Sequence, residues 1–356
     1  MALTTEQVIA ALRTVKDPEL FKDIVSLNMV KDVQVRGADV DVTVELTTPA
    51  CPLKDVIEKD VTEALKQVGA REIKLNITAN TRGATGPRRE ALPQVKNIIA
   101  VGAGKGGVGK STVAVNLAVG LQREGARVGL MDGDIYGPSM PTMLGLKGMA
   151  PEVRGNRILP FHVHGIHAVT IGALVEEDKP LIWRGPMAHG AFKQLLLDNT
   201  EWPDLDYLIV DLPPGTGDVP LTLCQLLPLT GAVVVATPQQ VALDDAIRAV
   251  RMFQQLNAPI LGIVENMSYF VAPDGSMNDI FGRGGAERAA KQLSVPFLGE
   301  LPMFIELRVN SDTGNPTANF QANPKLRDAL QQIVRRLAGE VSKRNLAAPT
   351  PQLNIT

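Results

Sequence analysis

Residues Gly104-Lys105-Gly106-Gly107-Val108-Gly109-Lys110-Ser111 follow the apolar run Asn97–Ala103 and open a helical pattern at Lys110–Gly120. The spacing is G-x-x-x-x-G-K-[ST], set in the strand–loop–helix context that gives the pattern its meaning. Glycines let such a loop wrap a phosphate with its backbone N–H groups inward, and the positive end of the helix dipole completes the cradle. Lys110 is then placed to bridge β- and γ-phosphates, and the Ser111 hydroxyl to ligate Mg²⁺. The alternative is a glycine-rich turn that holds no ligand; the additional Lys105 makes this loop more specific than a generic phosphate loop.

Around the loop, short continuous apolar runs recur at Ile98–Val101, Val128–Met131, Tyr207–Val210, Ala232–Ala236 and Ile260–Val264, separated by helical patterns. Runs of this kind read as buried parallel strands. Their alternation with helices predicts an α/β, doubly wound, mostly parallel sheet over residues 96–342, with ligands at the carboxyl ends of the strands. Ahead of it, a helical stripe (Val8, Ile9, Leu12, Val15), a hairpin turning at Gly37-Ala38-Asp39, a helix over about 53–68 and a strand over 72–79 make a small α+β domain at 1–80, read as independently foldable. Residues 81–95, with Gly83, Gly86, Pro87 and Pro93, read as a linker. A last helix over 324–337 is followed by a tail, 343–356, expected to be disordered.

Composition narrows the function classes. The 356 residues are 45% hydrophobic and 21% charged, with a formal net charge of -2, so the chain lacks the global positive field of a dedicated nucleic-acid or anionic-membrane binder. Six Lys/Arg after residue 324 face only Asp328 and Glu340 and read as a solvated helix face, so nucleic acid is not an expected partner. Two cysteines, Cys51 and Cys224, are too few for a disulfide framework and cannot fill a four-thiolate site from one chain. Neither a leader pattern nor a membrane-length apolar run is evident, so a cytoplasmic location and no membrane partner are expected.

Gly104 to Thr112 resembles the deviant Walker A of the MinD/ParA class of P-loop ATPases. Asp132-Gly133-Asp134-Ile135-Tyr136-Gly137-Pro138-Ser139, Asp211-Leu212-Pro213-Pro214-Gly215-Thr216-Gly217-Asp218, Glu265-Asn266-Met267-Ser268 and Ile280-Phe281-Gly282-Arg283-Gly284-Gly285 are written as in the Mrp-type iron–sulfur cluster carrier ATPases. The N-terminal domain, with Asp17-Pro18-Glu19-Leu20 and Thr48-Pro49-Ala50-Cys51-Pro52, is similar to the MIP18-like accessory domain that many bacterial members carry.

The resemblance implies a slow ATPase that works as a homodimer, with Lys105 reaching the partner's nucleotide, Asp134 positioning the attacking water and Asn266 contacting the adenine edge. Asp132, two residues earlier, is the alternative water-positioning carboxylate. The nucleotide-binding residues are then Gly104, Lys105, Gly106, Gly107, Val108, Gly109, Lys110, Ser111, Thr112 and Asn266, with Lys105, Lys110 and Asp134 catalytic. Asp211 ends an apolar strand beside the loop, where its carboxylate joins Ser111 in holding Mg²⁺ directly or through water; the alternative is an ordinary helix cap.

The family resemblance also implies an iron–sulfur cluster passed to acceptor apoproteins or assembly factors. The Cys-Pro-x-Cys that bridges a dimer in such carriers stands here as Ala272-Pro273-Asp274-Gly275, and neither Ala nor Gly offers a soft ligand. Cys51 precedes a helix start that would lower its pKa and is equally readable as a packing residue, whereas Cys224 reads as core. His162 and His164 would share a strand face near His167, as a metal pair or as surface residues. Two function classes stay open: an ATPase of iron–sulfur cluster assembly, or a nucleotide-switched dimeric ATPase of positioning or partition type without a cluster.

Overall fold

The computed structural model describes residues 3–18, 22–83, 92–134, 137–173, 190, 192–193, 198–272, 274–321 and 323–347. Helix α1 (Thr5–Leu12) begins at a reciprocal cap, in which the Thr4 hydroxyl accepts the Gln7 N–H and the Gln7 side chain accepts the Thr4 N–H. Two amide donors that a helix start leaves open are thereby satisfied. Strands β1 (Val30–Arg36) and β2 (Asp39–Leu46) pair antiparallel, and after helix α2 (Lys54–Gln67) strand β3 (Glu72–Ala79) joins β2 in parallel. Alternation does the rest: Val40, Val42, Val44 and Leu46 are buried against Val8 and Leu12 of α1 and Ile57, Val61 and Leu65 of α2.

The larger unit begins with β4 (Val95–Gly102), α3 (Lys110–Arg123), β5 (Val128–Asp132) and the short α4 (Met140–Met143). Two hairpins follow, β6 (Val153–Arg154) with β7 (Arg157–Ile158) and β8 (Phe161–Val163) with β9 (Ile166–Thr170). Next come β10 (Leu205–Asp211), α5 (Asp218–Leu226), β11 (Gly231–Ala236), α6 (Gln240–Gln255), β12 (Ile260–Val271) and β13 (Met277–Asn278). Helix α7 (Gly285–Leu293), β14 (Phe297–Met303), α8 (Ile305–Asp312) and α9 (Pro324–Ala347) complete it.

The sheet runs β13-β12-β11-β4-β10-β5-β9-β8, with β14 also on β12, and its pairs are parallel except at the edge hairpins. Chain order places β5 on one side of β4 and β11 on the other, so the order reverses at β4. The loop leaving β4 therefore opens into a crevice at the strands' carboxyl ends. Val115 and Leu117 of α3 and Leu330, Ile333 and Leu337 of α9 cover one face, while Leu223 of α5 and Ala246, Val250 and Phe253 of α6 cover the other. Burial on both faces explains why these strands read as continuous apolar runs. No helix among the described residues is long and apolar enough to cross a membrane.

Two expectations are corrected. Helix α9 continues to Ala347, so residues 343–347 of the expected tail are helical, and only 348–356 lie outside the described residues. Val341 is buried beneath the added turns, and the Asn345 amide donates to the Arg82 carbonyl and to Asn97 Oδ1, both at 2.8 Å. Strand β12 runs seven residues past the expected Val264, pulled on by its parallel pairing with β14 and its antiparallel return to β13.

The two units are joined by a specific contact. The Thr48 and Tyr207 hydroxyls lie 2.8 Å apart, both buried, and Ala50 belongs to the hydrophobic core of the larger unit. Beside them Lys96 bonds Asp206 at 2.9 Å and Asn80 at 3.4 Å, and the Asn97 amide donates to the Arg82 carbonyl at 2.9 Å. The small unit is thus anchored at the amino ends of β4 and β10, away from the crevice. Ala50→Asp would bury an unpaired carboxylate at this junction, which costs several kcal/mol. Calorimetry of that variant is expected to split one unfolding transition into two; a single transition at the parental temperature would mean that docking does not hold the units together.

Candidate nucleotide site

The loop after β4 is shaped by close approaches that only glycine permits. Gly107 and Gly109 both have φ of +80°, the left-handed region that other residues avoid. A Cβ on Gly104 would collide with the Asp245 carbonyl of α6, and one on Gly109 with the Asn266 amide. That amide, carried on β12, donates to the Val108 carbonyl at 2.8 Å. Asn266 is therefore brought to the loop, and its side chain holds the loop itself.

Lys110 is 6% exposed, an unusual burial for an ammonium group, and it is matched by carboxylates. Its Nζ lies 2.6 Å from Asp211 Oδ1 and 3.5 Å from Asp134 Oδ2, and the Ser111 hydroxyl donates to Asp211 Oδ2 at 2.5 Å. Asp211 is fully buried; burial raises its pKa, and the Lys110 charge opposes that rise. Thr112 follows in the first turn of α3, half-buried, while Lys105 is half-exposed and makes no ion pair among the described residues.

The two aspartates after β5 are distinguished by their surroundings. Asp132 lies level with Asp211 in the sheet, and burial together with the Asp211 charge pushes its pKa up to about 7. Its oxygens accept from the Thr170 hydroxyl at 2.9 Å and from the N–H groups of Asp134 at 3.2 Å and Met140 at 3.3 Å. Asp132 thus fixes the backbone of its own loop. Asp134 instead keeps Oδ1 buried with no hydrogen-bond partner among the described residues, while its Oδ2 faces the Lys110 ammonium. Such an unmet acceptor calls for water or an ion. Ser111 Oγ, Asp211 and Asp134 Oδ1 together are hard oxygen donors of the kind that Mg²⁺ takes.

Sequence reasoning missed two members of this neighbourhood. Glu265, fully buried, accepts the N–H groups of Gly284 at 2.8 Å and Ala286 at 2.7 Å, and so fixes the start of α7 to the residue preceding Asn266. The Gly284-Gly285 pair was the available signal for that helix start. Thr170 ends β9 level with Asp132, a placement set by strand register with no local signature.

The candidate cysteine and histidine ligands, unlike Ser111 and Asp211, do not converge. Cys51 is half-buried against the core of the small unit, and Cys224 sits in a separate core, where burial pushes its thiol up to about 12. At the Ala272–Gly275 position the Gly275 N–H closes a turn onto the Ala272 carbonyl at 2.8 Å, with φ of +84° at Gly275. A cysteine there would meet left-handed backbone as well as supply a thiol. His164 does not share a face with His162, because it occupies the turn between β8 and β9; His162 faces His167 instead. Among the described residues, no group of three or more His, Cys, Asp or Glu is arranged to hold a metal ion.

A mostly parallel sheet, a glycine-bounded loop at its switch point, and a lysine, a serine and aspartates meeting beneath that loop define a P-loop nucleotide-binding protein. Residues 94–338 match the family model described as NUBPL iron-transfer P-loop NTPase, and residues 5–75 match that described as iron-sulfur cluster assembly protein. The chain belongs to the NUBPL iron-transfer P-loop NTPase family. It is 51% identical to a protein of Synechocystis sp. named iron-sulfur cluster carrier protein, over 96% of this chain and 98% of that one. A protein of the same name from Deinococcus radiodurans is 50% identical over 98% and 99% of the two chains. Among solved structures, a nucleotide-binding protein of Archaeoglobus fulgidus in complex with ADP aligns with a TM-score of 0.59 and 36% identity, covering 67% of this chain and 93% of that one. The cell-division ATPase MinD of Pyrococcus furiosus, 21% identical, shares the fold with a TM-score of 0.51 over 67% and 97% of the two chains.

Proposed function

We propose that this protein is a slow, Mg²⁺-dependent ATPase of iron–sulfur cluster assembly, which carries clusters to acceptor apoproteins or assembly factors in the cytoplasm. The observation that carries the reading is the convergence of Lys110, Ser111, Asp211 and Asp134 beneath the Gly104–Thr112 loop, in a chain related over nearly its whole length to proteins named as cluster carriers. Lys110 is held by Asp211 and Asp134. With ATP present its ammonium turns to the β- and γ-phosphates, leaving Ser111 and Asp211 to hold the metal. Bound Mg²⁺ supplies neutralisation of the charge developing on the transferred phosphoryl group. Asp134 uses its unpaired Oδ1 to orient the attacking water, while Asp132 holds the loop in place. Lys105, which makes no ion pair among the described residues, acts on the nucleotide of a second copy in a homodimer.

The cluster is cargo, and its ligands differ from those of the related carriers that bear a Cys-Pro-x-Cys. Cys51 is the thiolate to test, since burial holds Cys224 protonated. After anaerobic reconstitution of the full-length protein, iron and sulfide are expected to be retained by the wild type and lost in Cys51→Ser. A second reading is favoured by Ala272 and Gly275, which offer no ligand: a nucleotide-switched dimer of positioning or partition type. Wild-type protein that retains no iron or sulfide yet hydrolyses ATP would establish that second reading over the first.

A further inference from the structure

The β8–β9 hairpin carries two imidazoles for which the nucleotide site has no use. His164 and Gly165 turn the chain with φ of +53° and +76°, the two positive values of a type I′ turn. A two-residue turn of this kind fixes the register, here Val163 opposite Ile166 and His162 opposite His167. The pair flanking the turn exchanges hydrogen bonds, so the next pair out is the non-hydrogen-bonded type, whose Cβ atoms approach most closely. The rings of His162 and His167 accordingly lie with centroids 4.8 Å apart and planes inclined at 32°.

Neither ring makes a protein hydrogen bond among the described residues, whereas the His164 ring is engaged, its nitrogens 3.2 Å from the Leu144 carbonyl and 3.3 Å from the Thr317 hydroxyl. Strand β8 ends the sheet, with His162 exposed and His167 half-buried beside it. Phe161 and Val163 pack toward the core on the opposite face and hold the hairpin flat against the sheet. Burial, and then the neighbouring His162, lower the His167 pKa and favour the neutral imidazole that a metal requires.

We propose that His162 and His167 form a two-imidazole clamp for a divalent transition-metal ion of the Fe²⁺ to Zn²⁺ series, with water in the remaining coordination positions. Imidazole nitrogen suits these ions, and the hairpin supplies the pairing without any rearrangement of the backbone. Two protein ligands make the site exchangeable, unlike a structural site closed by four. The clamp is independent of the nucleotide reading: its residues lie on the hairpin that ends the sheet, and its ligands are nitrogens where the loop offers oxygens.

The test is a calorimetric titration of the full-length protein with Ni²⁺, run in Mg²⁺ and ADP so that the carboxylates of the loop are occupied. One Ni²⁺ per chain is expected, with affinity reduced at least tenfold in His162→Gln and in His167→Gln. His164→Asn, which tolerates the left-handed backbone, and Cys51→Ser are expected to bind as the wild type does. Ni²⁺ should also raise the melting temperature of the wild type and leave that of the double variant His162→Gln/His167→Gln unchanged. Equal Ni²⁺ affinity in wild type and double variant, or loss of binding in Cys51→Ser alone, would overturn the clamp.

Discussion

Lys110→Ala is expected to weaken ATP binding at least a hundredfold, read as the dissociation constant by calorimetry in the presence of Mg²⁺. The lysine is a buried cation at the loop, 2.6 Å from Asp211, and truncating one partner of a buried charge contact costs about 2–5 kcal/mol. A hundredfold corresponds to about 2.8 kcal/mol, inside that range. The substitution also strands Asp211 and Asp134 together, so their repulsion adds to the loss when phosphates arrive. Folding should survive, because the Asp211 pKa is already raised by burial and a proton replaces the missing cation. Circular dichroism and a melting curve separate the two effects, and a folded variant with parental affinity would refute the assignment of the loop.

Asp134→Ala should leave ATP affinity within a few-fold of the parent and lower kcat by about 10²–10⁴, the usual contribution of a positioned acid–base group. The reason lies in the unpaired Oδ1: among the described residues, removing the carboxylate breaks no hydrogen bond or ion pair of the side chain apart from the long approach to Lys110. Asp132→Ala should behave differently. It removes the acceptor for Thr170, Met140 and Asp134 at once and leaves buried donors unmet, at about 1–3 kcal/mol for each such group. Its signature is a lowered melting temperature together with reduced activity. Should Asp134→Ala hydrolyse ATP at the parental rate while Asp132→Ala fails to do so without losing stability, the roles are reversed.

The phosphate loop and the strands beside it were legible because their physics is local. Continuous burial leaves a run such as Leu208–Val210 with no polar residue, and a loop that must hug phosphate needs glycine at 107 and 109. Asn266 was legible as a residue at the site, but its bond to Val108 depends on β12 continuing through it, and that continuation is set by pairing with β14 some thirty residues later. The end of α9 escaped for the same reason: Asn345 is held by Arg82 and Asn97, residues far away in the chain. His162 and His164 show the limit of periodicity. Two residues apart they share a face only while the strand continues, and Gly165 is where it turns.

The contact between Thr48 and Tyr207 spans 159 residues of chain, and that distance has a consequence in time. During synthesis at about 5–20 residues per second, roughly 8–30 s pass between the two hydroxyls leaving the ribosome's catalytic centre. Throughout that interval the small unit can fold, yet Ala50 has nothing to dock against. A methyl group that ends in the core of the larger unit therefore begins life at a nascent surface, open to chaperones before strand β10 arrives.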